Sequence, residues 1–243
     1  MARTLVIGDV HGALKALIQV LQETKPTPAD KLIFLGDYVD GWSESAHVVE
    51  YLLELKTKQT CVFLKGNHDE WCQQWLRTGA IPQGWIYNGG AQTLQSYALT
   101  DATVKNEHLL FFEKMPYYFI DDENRLFLHA GFTAPGGPQE EQPVNTCAWD
   151  RTLWENAVMM ARRIKNTPTL YPKKFRLFKE IYIGHTPTLH FNTDKPMQAC
   201  NVWNIDTGAG FTGKLTIMDI DSEAYWQSEE VYKLYPGERG RNR

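Results

Sequence analysis

The chain has 243 residues, 43% of them hydrophobic, and a formal net charge of -4. That length and apolar fraction provide for a substantial core, and no run approaches the roughly 18 apolar residues of a membrane span. The acidic balance argues against a protein that grips nucleic acid chiefly through its phosphates, although a bound metal can reverse the charge locally.

The chain passes from Met1-Ala2-Arg3-Thr4 directly into Leu5-Val6-Ile7, a strand-like run too short for the apolar region of a signal peptide. A soluble, cytoplasmic protein is expected. This first strand ends at Gly8-Asp9, and Leu14, Leu17, Ile18 and Leu21 then recur at helical spacing until Pro26 and Pro28. Lys31-Leu32-Ile33-Phe34-Leu35 repeats the pattern and ends at Gly36-Asp37. A helix starting near Ser43 or Ser45 follows, its apolar face made by Val48, Val49, Leu52, Leu53 and Leu55. Cys61-Val62-Phe63-Leu64 is the third strand and ends at Gly66-Asn67-His68-Asp69. Three strand–loop–helix units in succession predict an α/β sheet.

Residues 69–115 read as mostly helical, and residues 117–120 and 125–128 as a hairpin around Asp121-Asp122-Glu123-Asn124. Residues 133–143, rich in Gly, Pro, Gln and Glu, predict an exposed loop, and residues 150–164 a helix. Later strands are expected at 180–184, 201–206 and 214–220. With no repeat and no low-complexity linker, the reading is one domain with its core at about 4–220. Residues 237–243 are expected to be a mobile basic tail. Cys61, Cys72, Cys147 and Cys200 form no C-x-x-C pair and read as buried, reduced thiols.

The chemistry stands at the strand ends. Asp9 and His11 follow the first strand, Asp37 and Asp40 the second, and Asn67, His68 and Asp69 the third. His129 ends the Leu126-Phe127-Leu128 run, and His185 follows Ile181-Tyr182-Ile183-Gly184. In α/β sheets, ligands bind where the loops after the strands converge. One such Asp alone reads as a helix cap and one such His as a structural residue, but five strand ends together do not. Carboxylate and imidazole donors suit Mn, Fe, Zn or similar ions, and no thiolate motif points to a softer site. A carboxylate bridging two ions would make a centre that activates water near neutral pH and clamps phosphoryl oxygens during in-line attack.

Gly8-Asp9-Val10-His11-Gly12, Gly36-Asp37-Tyr38-Val39-Asp40-Gly41, Gly66-Asn67-His68-Asp69, His129-Ala130-Gly131 and Gly184-His185-Thr186 resemble, in order and spacing, the five signature blocks of the calcineurin-like metallophosphoesterases. They are most similar to the bacterial branch of serine/threonine phosphoprotein phosphatases and symmetric diadenosine tetraphosphatases. Asn204-Ile205-Asp206-Thr207-Gly208 resembles that branch's closing segment. The resemblance implies a four-layer αββα sandwich, two mixed β-sheets flanked by helices. It implies two divalent ions, Mn first, with Fe, Zn or Mg as alternatives. Asp9, His11 and the bridging Asp37 would hold one, and Asn67, His129 and His185 would complete the other. His68 would be the general acid, oriented by Asp40, a role suited to an imidazole. Asp69, where many relatives carry Glu, reads as a helix N-terminal residue.

Two departures touch substrate binding. The branch usually continues its second block Val-Asp-Arg-Gly, where this chain has Val39-Asp40-Gly41-Trp42. It usually has Arg before Gly-Asn-His, where Lys65 keeps the charge but not the planar fork. Lys65 and Arg151 are the substrate-binding candidates, Arg151 with the alternative of pairing with Glu155 on a helix. The leading expectation is a phosphomonoesterase acting on phosphoprotein or a small phosphorylated molecule, with no membrane and no nucleic-acid partner. The competing ones are a dinucleoside polyphosphate hydrolase, with Trp42, Trp85 or Trp149 stacking on a base, and a non-catalytic scaffold.

Overall fold

The computed structural model describes residues 2–164 and 167–242. In the first sheet, β1 (Thr4–Ile7) pairs in parallel with β2 (Lys31–Phe34), and β2 in parallel with β3 (Thr60–Phe63). β9 (Thr216–Asp219) returns antiparallel beside β1, and β10 (Tyr225–Gln227) forms the edge, giving the order β10-β9-β1-β2-β3. The second sheet has the order β4-β5-β6-β8-β7. There β5 (Leu126–Leu128), β6 (Ile181–Ile183) and β8 (Val202–Asn204) run parallel, while β4 (Tyr118–Ile120) and β7 (Met197–Ala199) are antiparallel edges.

Alternation along the strands separates the layers. Val6, Ile33 and Leu35 of the first sheet meet Phe127 and Tyr182 of the second in the central core. Their neighbours Leu5, Ile7, Leu32 and Phe34 face outward onto Leu17 and Val20 of α1 (Leu14–Thr24) and Val48 and Leu52 of α2 (Ser45–Leu55). On the far side Leu126, Leu128, Ile181 and Ile183 pack on Leu153, Trp154 and Ala157 of α6 (Thr152–Ile164). Each such fully buried aliphatic side chain contributes about 1.5–3 kcal/mol. The result is the expected helix–sheet–sheet–helix sandwich.

Residues 69–115 resolve into α3 (Asn67–Thr78), α4 (Gly90–Ser96) and α5 (Ala102–Glu113). Asp101 caps α5 by accepting from the Thr103 and Val104 N–H groups. The reading of the sequence did not anticipate β7 and β10. Both are three-residue edge strands with little buried surface, so they carry no apolar alternation to see. The loop at 133–143 is less exposed than expected. Glu141 is buried and accepts hydrogen bonds from the Thr133 and Ala134 N–H groups.

Residues 237–242, expected as a mobile tail, lie against the fold; Arg243 lies outside the described residues. Glu238 accepts from the Ser43 N–H and hydroxyl at 3.0 and 2.8 Å, and the Arg241 N–H donates to the Gly210 carbonyl at 2.8 Å. Gly240 lies against the Trp42 ring, which stacks on Tyr235 of the short helix α7 (Val231–Leu234) and its following turn. A run read as solvated for its charge is thus anchored by backbone bonds and an aromatic base.

Candidate metal centre

The loops after β1, β2 and β3 meet those after β5, β6 and β8 along one edge of the sandwich. Asp9, His11, Asp37, Asp40, Asn67, His68, His129 and His185 come together there, each buried. Four of them sit at positive φ: His11 (51°), Asp37 (55°), Asp40 (72°) and His185 (67°). Left-handed backbone at non-glycine residues costs on the order of 1–3 kcal/mol each and concentrates at functional sites.

Asp37 is the hub. Its Oδ2 lies 3.3 Å from His129 Nε2, 3.6 Å from His11 Nε2 and 3.9 Å from His68 Nε2. Its Oδ1 accepts the His68 N–H at 3.0 Å. The loop that carries it is pinned by Asp69, which accepts from the Asp37, Tyr38 and Gly66 N–H groups at 2.8, 2.9 and 2.8 Å. By accepting from the Gly66 N–H, Asp69 closes the start of α3, so it is the helix N-terminal residue expected and a clamp on the hub as well.

Two imidazoles are oriented by backbone carbonyls. His129 Nδ1 donates to the Leu35 carbonyl at 2.9 Å and His11 Nδ1 to the Val39 carbonyl at 3.1 Å, so each turns Nε2 inward. Around His129 Nε2 stand Asn67 Oδ1 at 3.2 Å and His185 Nδ1 at 3.2 Å, themselves 3.0 Å apart. Bonds of about 2.1 Å meeting near right angles leave ligand edges of about 3.0 Å. With Asp37, these atoms therefore have the spacing of a coordination shell. The second nitrogen of His185, Nε2, is buried without a partner among the described residues.

On the other side of Asp37, His11 Nε2 lies 3.8 Å from Asp9 Oδ2, and Arg241 Nη1 stands 3.0 Å from the same nitrogen. Asp9 is placed by the His185 N–H, 3.1 Å from Oδ2. Burial and then the charges of Asp206 and Asp37 push the Asp9 carboxyl well above the ordinary range. Burial opposes charge on His129 as well, but Asp37 and Asp9 carry it up to about 10. Burial first, then neighbouring positive charge, holds His11 and His185 well below the usual imidazole range. Carboxylates and imidazoles crowded together out of water are an environment that divalent cations relieve. The donor set fits two ions of the Mn, Fe or Zn kind.

His68 Nδ1 lies 2.6 Å from Asp40 Oδ2, which fixes the ring with Nε2 facing the cluster. Asp40 also accepts from Trp85 Nε1 at 2.6 Å and from Thr93 Oγ1 at 2.5 Å. Thr93, 53 positions beyond Asp40 in a stretch without motif, was not legible as part of the site, and Trp85 was read only as a surface for a base, not as a partner of Asp40. Asp206 was legible in principle. It ends a late strand, as the other site residues end theirs, and its buried carboxyl is pushed up to about 6 by burial despite the Gly208 N–H.

The other candidates lie around this cluster. Lys65 is buried, and its ammonium binds Gln73 Oε1 on α3 at 2.7 Å and lies over the Tyr117 ring. Trp42 and Trp85 are wholly buried, their indole N–H groups donating to the Ala209 carbonyl and to Asp40, and neither offers a face to a base. Trp149 is 39% exposed. Arg151 is exposed, and its charge acts on His185.

Glycine is required where the loops press together. A Cβ at Gly184 would stand 2.1 Å from Asp9 Oδ1. Gly184→Ala is therefore expected to displace Asp9 and weaken metal binding by at least about tenfold, measured by titration calorimetry with the metal-free protein.

This fold and this cluster define a class. The chain belongs to the calcineurin-like phosphoesterase family, whose model matches residues 2–208, and it is a phosphoester hydrolase. Among its relatives is an asymmetrical bis(5'-nucleosyl)-tetraphosphatase, PrpE, of Bacillus cereus (strain AH187), 26% identical over 228 residues and covering 87% of each chain. A protein serine/threonine phosphatase from Saccharomyces cerevisiae superposes with a TM-score of 0.65 at 13% identity, over 100% of this chain and 84% of its own. A metallophosphoesterase from Sphaerobacter thermophilus does so with a TM-score of 0.56 at 19% identity, over 93% and 87%. These two likenesses establish the fold. No helix among the described residues is long and apolar enough to cross a membrane.

Proposed function

We propose that the protein is a cytoplasmic phosphomonoesterase that works with two divalent ions, Mn foremost, on phosphoprotein or a small phosphorylated molecule. The observation that carries this reading is the convergence of donors on both sides of Asp37, with the His68–Asp40 pair beside them. Asp9, His11 and Asp37 would hold one ion, and Asp37, Asn67, His129 and His185 the other. When bound, such ions supply activation of water near neutral pH and neutralise phosphoryl oxygens.

The chain's own residues do the rest. Asp40 takes the His68 Nδ1 proton in its hydrogen bond and leaves Nε2 to deliver a proton to the departing oxygen. Trp85 and Thr93 hold the Asp40 carboxylate so that its charge stays opposite the imidazole. Arg151, at the exposed rim beside His185, would steer the anionic substrate.

A second reading, hydrolysis of dinucleoside polyphosphates, is favoured by the name of the PrpE relatives. Trp149 also supports it. Its ring meets Trp71 edge-on at 5.1 Å, and Trp71 meets His68 at 5.0 Å, so an aromatic path runs from the cluster to the surface. It borders a cavity of about 470 Å³ lined by Glu70, Trp71, Arg77 and Tyr117, a size that suits a nucleoside.

The test strips the protein of metal and restores Mn, Mg, Zn or Fe singly. A nitrophenyl phosphate monoester is then assayed beside its diester, and a phosphopeptide beside a dinucleoside tetraphosphate. Metal-restored turnover of monoester and phosphopeptide is the expected result. Preference for the dinucleotide moves the assignment to the second reading. No turnover with any verified bound metal sinks both and leaves the scaffold.

A further inference from the structure

We propose that Arg241, carried into the centre by the folded C-terminal arm, is the guanidinium that binds the substrate's phosphoryl oxygens; this rests on the phosphoester hydrolase reading above. Although 230 residues away in sequence, its Nη1 reaches His11 Nε2 at 3.0 Å. The arm that brings it is fixed by the Arg241 N–H on the Gly210 carbonyl and by Glu238 on Ser43.

Its path is built from missing side chains. A Cβ at Gly41 would meet Arg241 Cγ at 3.1 Å, one at Gly89 the same atom at 3.3 Å, and one at Gly210 its Cδ at 3.1 Å. Gly41 also has φ 107°, a backbone that side chains rarely adopt. Position 41 therefore offers no room for an arginine of its own, because the side chain of Arg241 already fills the space beside it. The Phe211 ring lies 4.9 Å beneath the guanidinium and supports its plane.

Apart from Nη1, its side-chain donors find no acceptor among the described residues. A guanidinium has five N–H bonds to satisfy. Nε is buried without a partner, and no carboxylate lies within ion-pair distance among the described residues. The nitrogen that now accepts from Nη1 is the one His11 would offer to an ion. With that lone pair given to an ion, Nη1 would lose its present acceptor and be free for another. A tetrahedral oxyanion supplies the several oxygens the guanidinium requires. Arg151, exposed and at the opposite side by His185, steers, whereas Arg241 grips.

The experiment compares wild type, Arg241→Lys and Arg241→Ala after metal saturation, with thermal unfolding as the control for folding. Three quantities are read: KM for the nitrophenyl monoester, calorimetric binding of inorganic phosphate, and metal affinity. Arg241→Ala is expected to weaken phosphate binding and raise KM by about tenfold or more, with metal affinity unchanged or tighter. Lysine is expected to recover only part, because it keeps the charge without the fork. Added guanidinium ion is expected to restore turnover in the alanine variant. Unchanged phosphate binding in both variants overturns the proposal, and so does tighter metal binding as the sole effect, which would make Arg241 a mere occupant of the metal position. Lysine performing as well as arginine overturns the forked contact. A wild type that hydrolyses no phosphoester with any bound metal sinks the functional reading instead, and it does so before any variant is compared.

Discussion

Asp37→Asn is expected to abolish turnover while leaving the protein folded, with kcat down by at least about 10³-fold, or about 4 kcal/mol of transition-state stabilisation. The amide is isosteric and keeps an oxygen where Oδ1 accepts the His68 N–H, so the loop between β2 and α2 retains its bond to α3. What disappears is the charge at Oδ2, the atom facing His129 at 3.3 Å and His11 at 3.6 Å. Asp37 is also the one residue shared by the two groups of donors able to hold an ion, so both positions suffer together. The check does not depend on activity. A ligand that binds only the folded state at 100 times its Kd stabilises by about 2.7 kcal/mol. Adding Mn to the metal-free wild type is therefore expected to raise Tm, and in Asp37→Asn this rise is expected to vanish. A variant that kept both its Tm rise and its turnover would remove Asp37 from the hub.

The split between what could be read in the sequence and what could not follows physical lines. The central strands were legible because they are apolar runs buried on both faces, and the residues at their ends because each stands directly after such a run. The edge strands β7 and β10 were not, since an exposed edge imposes little apolar pattern. At the site, residues that touch the cluster from their own strand end were found, Asp206 excepted, whereas the bonds made across the fold were missed. Trp85 and Thr93 reach Asp40 from the segment between α3 and α5, and Arg241 arrives from the far end of the chain. Lys65 shows the converse situation. Its position in the motif is right for a phosphate ligand, but a neighbouring turn with Gln73 captures the side chain. Position in sequence locates a Cα; it does not say where a four-carbon side chain ends.

The second large effect is expected at His68, and there the leaving group makes the role testable. His68→Ala should lower kcat by about 10²–10⁴-fold on an alkyl phosphoester, such as phosphoserine in a peptide, whose alkoxide departs only with a proton. On the nitrophenyl monoester the same variant should lose far less, because nitrophenolate leaves unaided. The structure supplies a rival explanation. His68 Nε2 lies 3.9 Å from Asp37 Oδ2, and the donor atoms of His11, Asp37 and His68 lie within 4.8 Å of one another, so His68 could act by holding an ion. Loss of a ligand would slow both substrates alike and weaken metal binding, whereas loss of a proton donor spares metal binding and discriminates between leaving groups. Asp40→Asn keeps an acceptor for Nδ1 but removes the negative charge 2.6 Å from the ring, and a partial loss with the same leaving-group bias is expected. Because Asp40 acts through His68, the double variant should be no slower than His68→Ala alone. Additive losses would mean that Asp40 serves the reaction by another route, with its bonds to Trp85 and Thr93 the place to look.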